Sequence, residues 1–163
     1  MSTTSLHVHP YEKRWIIFSI VLLIVFTAAV AIAAFALGIQ VPSPEQRVDP
    51  RTVAVDPNSP WSNPGLREIA PGRYEAYILA QTWQFQPREI RVPVGSRVTF
   101  YVTSKDVQHT FKIQDTNINV QVVPGQVSKL TVTFKKPGTY PFICSEYCGV
   151  GHAGMFGQII VTP

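Results

Sequence analysis

The chain has 163 residues, of which 45% are hydrophobic and 15% charged, and it carries 14 Lys+Arg against 10 Asp+Glu. That length holds one ordinary domain and an appendage, and the sequence has no internal repeat. The basic residues are scattered among strand-like segments, which argues against a nucleic-acid surface.

Residues 1–14 end in Lys13 and Arg14, and from Trp15 to Ile39 there is no charge, with Ser19, Thr27 and Gly38 the only interruptions to the apolar run. As a helix rising about 1.5 Å per residue, this run spans roughly 37 Å, more than a hydrocarbon core of about 30 Å. A cleaved signal peptide also has a basic flank, but its apolar core is usually only about 7–15 residues long. A transmembrane anchor is therefore expected over 15–39, with Trp15 at the inner interface. The next basic residue is Arg47. The charge bias puts residues 1–14 in the cytoplasm and the chain beyond residue 40 on the outer, periplasmic side of the cell inner membrane.

Residues 40–72 are rich in proline, serine and charge, and read as an extended linker that is neither helix nor central strand. From Arg73 onward short β-prone runs alternate with turn signals such as Pro124-Gly125 and Pro137-Gly138. Val98, Phe100 and Val102 fall on one face of their run, and Leu130, Val132 and Phe134 on one face of theirs. The spacing predicts an all-β sandwich or barrel over 73–163.

Both cysteines fall in "CSEYCGVGHAGMF" (144–156), together with one of the four histidines and one of the two methionines. A disulfide between Cys144 and Cys148 is one reading, suited to an oxidising compartment, but it leaves His152 and Met155 without a role. The C-x-x-x-C-x-x-x-H-x-x-M spacing instead puts thiolate, imidazole and thioether on one compact loop. Gly149, Gly151 and Gly154 are expected to let it turn tightly. That soft donor set suits copper. A tetrahedral zinc site built from two Cys and two His is the competing reading, and Met155 weighs against it. A second imidazole has to come from His109, because His7 and His9 precede the apolar run. Two thiolates can bridge two coppers, each taking one histidine. Met155 and a loop carbonyl then fill the weak axial positions, and no position is left open for a substrate. Such a site is an electron relay.

At these residues the chain resembles subunit II of heme-copper oxidases. The motifs "TWQFQPREIRVPVGSRVTF", "DVQHTFKI" and "NINVQVVPGQVSKLTVTFKKPGTYPFICSEYCGVGHAGMFGQIIV" carry the resemblance, and the single anchor is similar to the B-type branch. The resemblance implies a cupredoxin Greek-key sandwich on one N-terminal transmembrane helix, holding a binuclear CuA centre. Cys144 and Cys148 would bridge both coppers, with His109 and Met155 on one ion and His152 and the Glu146 carbonyl on the other. It further implies electron entry from a cytochrome c or another small redox protein and delivery to the hemes of a membrane-embedded subunit I, which reduces oxygen and pumps protons. Trp83 is the match for the aromatic that covers the centre and admits electrons. Glu12 matches a carboxylate at a proton-uptake entrance. The Glu146 side chain matches one that helps hold magnesium at the subunit I interface. A nitric oxide reductase with a CuA subunit is the alternative, and a copper chaperone or sensor domain is a rival of another class. The few acids flanking the loop, and the apolar Val150, Ala153 and Phe156 within it, lead us to expect a neutral or acidic donor that docks through apolar contact.

Overall fold

The structure is a computed structural model and describes residues 9–37 and 44–163. The chain forms two units that divide between Ile39 and Gln40. Parts of three predicted segments (residues 1–8, Gly38 and Ile39, and residues 40–43) lie outside the described residues.

Helix α1 spans Pro10–Phe35, so it starts five residues before the predicted Trp15 and takes in part of the predicted N-terminal segment. Pro10 occupies the first turn, where its missing N–H costs nothing. The Nδ1 of His9 accepts the Tyr11 N–H at 3.4 Å and caps the helix. Glu12, Lys13 and Arg14 thus lie in the first turns of the helix. At about 1.5 Å per residue, its 26 residues reach about 39 Å. None of its side chains is buried within this chain, and among the described residues it is the one helix long and apolar enough to cross a membrane.

The second unit is built from two sheets. The first orders β1 (Pro44–Arg47), β9 (Gln126–Thr133), β6 (Arg97–Ser104), β3 (Arg73–Gln81) and β2 (Gly65–Ala70) side by side, with β4 (Gln84–Gln86) paired to the end of β3. The second orders β5 (Glu89–Pro93), β11 (Phe156–Thr162), β10 (Gly138–Ile143), β7 (His109–Ile113) and β8 (Asn119–Val122). Pairing is antiparallel except between β3 and β6 and between β5 and β11. Those parallel pairs come from chain crossovers between the sheets, which give a Greek-key sandwich. Alternating side chains meet between the layers: Ala76, Ile78 and Ala80 from β3 and Val98, Phe100 and Val102 from β6 pack with Phe111, Phe142 and Ile159. Phe85, Phe111 and Phe142 pack with ring centroids 5.1–5.6 Å apart and tie β4, β7 and β10 together. Val123-Pro124-Gly125-Gln126 closes the turn into β9 with Gly125 at φ +82°, a conformation glycine adopts without strain.

The predicted linker needs correction. From Pro44 onward it belongs to the β unit: β1 and β2 are edge strands, the place where a proline-bearing strand is tolerated. Between them the chain crosses the outer face of the first sheet and buries Val53 and Trp61 against Leu79 and Val127. The Trp61 indole N–H donates to the Tyr101 carbonyl at 3.2 Å. Local turns do the ordering here. Asp49 Oδ1 accepts the Arg51 N–H, and Asp56 Oδ1 accepts the Asn58 N–H, each at 2.9 Å.

Candidate metal centre

β10 and β11 pair up to Ile143 and Phe156, and the Cys144 N–H continues the ladder to the Met155 carbonyl at 3.1 Å. The loop between them is thereby pinched at its base. Its far part folds as a short 3-10 turn over His152–Gly154, with the His152 N–H on the Gly149 carbonyl and the Met155 N–H on the His152 carbonyl, both at 3.1 Å. β7 runs past the end of β10, and its Thr110 hydroxyl receives the N–H groups of both Ser145 and Glu146. Thr110 therefore fixes the start of the loop beside the residue that precedes it, His109.

The donor atoms converge. Cys144 Sγ and Cys148 Sγ are 3.8 Å apart and both cysteines are free, so the disulfide reading is set aside. His109 Nδ1 lies 4.0 Å from Cys144 Sγ. His152 Nδ1 and Met155 Sδ lie 3.6 and 3.7 Å from Cys148 Sγ. The Glu146 carbonyl oxygen is 3.2 Å from Cys144 Sγ. Ligand atoms of His109, Cys144 and Cys148 all fall within 4.8 Å of one another. Thiolates bind a metal such as zinc at about 2.3 Å, so two sulfurs this far apart can share an ion. The donor set fits soft metals such as copper: two thiols face each other, with an imidazole beside each, a thioether and a carbonyl.

His109 is fully buried, and its ring is oriented from behind. Nε2 lies 2.9 Å from Asp106 Oδ1, which leaves Nδ1 toward the sulfurs. A carboxylate on the outer nitrogen of a ligating histidine fixes its tautomer and raises its basicity. Burial pushes the Asp106 carboxyl up, but hydrogen bonds from His109 and from the Thr82 and Val107 N–H groups outweigh it and hold the carboxyl below its ordinary value. Burial, and then the adjacent Cys144 thiol, push the Cys148 thiol up to about 11. A metal entering the site therefore displaces protons.

Trp83 lies against the loop from the β3–β4 turn. Its indole N–H donates to the Cys148 carbonyl at 3.1 Å, and the ring stays 39% exposed. The loop glycines have different roles than expected. Gly149 has φ +124° and does serve the turn, and a Cβ there would also lie 2.7 Å from Trp83 Nε1. Gly151 sits at φ −91°, ψ 8°, open to any residue, but a Cβ there would lie 2.5 Å from Trp83 Cδ2. It is small so that the indole can approach. The Glu146 carboxylate is exposed and accepts from Gln108 Nε2 at 3.3 Å. Glu12 lies in the other unit, in the first turn of α1. Asp106 and Thr110 hold the candidate ligands from behind, and the metal-ligand pattern did not single them out. The spacing Asp106-x-x-His109 was the available signal for the first.

A Greek-key sandwich with Cys, His and Met gathered on the loop between two adjacent strands, and a further His from a neighbouring strand, defines a cupredoxin-type metal domain. The family whose model matches residues 77–162 is described as cytochrome c oxidase subunit II, periplasmic domain. A cytochrome c oxidase subunit 2 from Thermus thermophilus is 44% identical over 155 residues, covering 93% of this chain and 91% of the relative. A second from the same species is 43% identical over 135 residues, covering 82% of this chain and 98% of the relative. In a solved heme-copper terminal oxidase dimer, one chain is 39% identical with a TM-score of 0.74, covering 93% of this chain and 99% of that one. The periplasmic domain of cytochrome oxidase subunit II from Bradyrhizobium japonicum, 24% identical with a TM-score of 0.50 over 54% of this chain and 83% of that one, shares the fold. The chain belongs to the cytochrome c oxidase subunit II family. It is accordingly a membrane-anchored subunit of an oxidoreductase assembly, and its Cys/His cluster is compatible with the copper of that family.

Proposed function

We propose that this chain is the electron-entry subunit of a heme-copper oxidase, taking electrons from a cytochrome c-type donor and passing them to the hemes of subunit I, where oxygen is reduced and protons are pumped. The observation that carries the reading is the pair of free thiols 3.8 Å apart with an imidazole beside each. Cys144 and Cys148 would bridge two coppers, with His109 and Met155 on one and His152 and the Glu146 carbonyl on the other. When bound, such a pair supplies a one-electron carrier with its charge spread over both ions. The protein residues hold the donors still. Asp106 orients His109, Thr110 ties down the loop start, and buried Met155 packs into the core beneath it. A fixed donor set keeps reorganisation small when the electron moves.

Trp83 is the entry point in this reading: its ring is part exposed, and its N–H reaches the backbone of a bridging cysteine. Val150 and Phe156, 86% and 51% exposed, offer an apolar face for the donor. Lys13 and Arg14 at the start of α1 support a cytoplasmic N-terminus, with the β unit on the periplasmic side of the inner membrane. Glu12 beside them would stand at a proton-uptake entrance. A magnesium on the Glu146 carboxylate would draw its other ligands from subunit I. The name shared by the relatives favours oxygen over nitric oxide as the terminal acceptor. Copper analysis with electron paramagnetic resonance tests the centre. Two coppers per chain and a seven-line or unresolved delocalised spectrum are expected. One copper with a four-line blue-copper spectrum overturns the assignment.

A further inference from the structure

Arg88 stands beside this site without a part in it. Its guanidinium carbon lies 5.3 Å from the centroid of the Phe156 ring, and Phe156 directly follows Met155 in the chain. The backbone at Arg88 is held in place: its carbonyl accepts the Gln158 N–H at 2.8 Å. A Cβ on Gly157 would come within 2.5 Å of that same carbonyl, so the two segments pack as closely as glycine allows. The neighbouring acid is already engaged. Glu89 binds Arg91 at 2.7 Å through one oxygen and Gln158 Nε2 at 2.8 Å through the other. Among the described residues Arg88 has no ion-pair partner. A depression of about 220 Å³ opens here, lined by Arg88, Glu89, Phe156, Gly157 and Gln158.

The acids near the ligand loop are placed differently. Asp106 is committed to His109 and to the Thr82 N–H. Glu146 and Gln108 lie on the β7 side, separated from the β5–β11 side by β10. The β5–β11 side of the loop thus presents an exposed aromatic next to a planar cation that lies over it. A guanidinium in this setting suits bidentate contact with a carboxylate, while the ring suits apolar surface next to that carboxylate.

We propose that Arg88, lying over the Phe156 ring, recognises a carboxylate on the electron donor, selecting a small redox protein whose docking face is apolar at its centre and acidic at its rim. The inference rests on the electron-carrier reading above and adds the chemistry of the partner. A rim charge acts mainly through the association rate and its salt dependence.

The test uses the copper-loaded full chain in detergent and stopped-flow reduction by an acidic c-type cytochrome, in native form and with its surface carboxylates amidated. Arg88→Gln should slow reduction by the native cytochrome roughly two- to fivefold, the range an exposed ion pair supports. Arg88→Glu should slow it further, and Arg88→Lys should recover only part of the loss seen in Arg88→Gln, because an ammonium keeps the charge but not the two-pronged contact. Added salt should slow the unmodified chain and leave Arg88→Gln less affected. The amidated cytochrome should be indifferent to all three substitutions. A native-cytochrome rate unchanged by Arg88→Glu, or an equal loss with the amidated cytochrome, overturns the proposal. The copper spectrum of each protein separates the two ideas. Absence of the two-copper spectrum from the unmodified chain overturns the electron-carrier reading. Its presence together with rates indifferent to Arg88 overturns carboxylate recognition alone.

Discussion

Gly151→Ala is a sharp probe of how the ligand loop is held. The backbone at Gly151 (φ −91°, ψ 8°) accepts alanine without strain, so any cost must come from what the new methyl meets. It would lie 2.5 Å from Trp83 Cδ2 and 2.7 Å from Cε3 and Cγ, against ordinary contacts of about 3.5–4.0 Å. The indole therefore has to withdraw by about 1 Å. Its N–H sits 3.1 Å from the Cys148 carbonyl, so withdrawal breaks that hydrogen bond. Overpacking costs about 1–3 kcal/mol and a lost hydrogen bond about 1 kcal/mol. The ring is 39% exposed and can swing outward, which relieves part of the overpacking. We expect a net loss of about 2 kcal/mol, or about 8 °C in Tm for a domain of this size. The assay is thermal unfolding of the full chain as a double-mutant cycle with Trp83→Ala. In the Trp83→Ala background, Gly151→Ala should cost under about 0.5 kcal/mol, for a coupling of at least about 1 kcal/mol. An equal cost in both backgrounds would refute the role assigned to Gly151, and a neutral Gly151→Ala would refute the closeness of the indole.

Three further outcomes are expected. Asp106→Asn should lower copper affinity about 10- to 100-fold, measured by competition with a chelator, because His109 loses the carboxylate on its outer nitrogen. An unchanged affinity would show that the ring is oriented by packing alone. Trp61→Ala should destabilise the β unit by about 3–5 kcal/mol in denaturant titration, as for a buried core aromatic. A change of under about 0.5 kcal/mol would return residues 44–64 to the status of a linker. Cys148→Ser should abolish the delocalised copper pair, whereas Met155→Leu should retain both coppers and shift the reduction potential, since an axial thioether tunes the site. Equal loss of copper in the two variants would overturn the axial role.

The cluster of candidate metal ligands was legible in the sequence because most of its side chains are crowded into a few positions. Cys144, Cys148, His152 and Met155 lie within twelve residues, so any compact loop brings them together, and His109 was the one imidazole left in the β region. The sandwich and the apolar helix were legible for a similar reason: period-two alternation and an uncharged run are local patterns. The linker was misread on the same local evidence. Proline and polar residues do deny residues 44–72 a central strand, yet they do not prevent Val53 and Trp61 from covering the outer face of a sheet whose Leu79 and Val127 lie far away in the chain. Likewise, nothing local shows that Gly149, which serves a turn, also stands against Trp83, or that Gly151 makes room for the same indole arriving from 68 residues upstream. Nor does it show that Asp106 lies behind the His109 ring, or that Arg88 lies over the Phe156 ring. The donor types and their order were set by the sequence itself. The groups that orient them, cover them and flank them were decided by the tertiary structure, because close packing in a Greek-key sandwich joins strands that the chain keeps far apart.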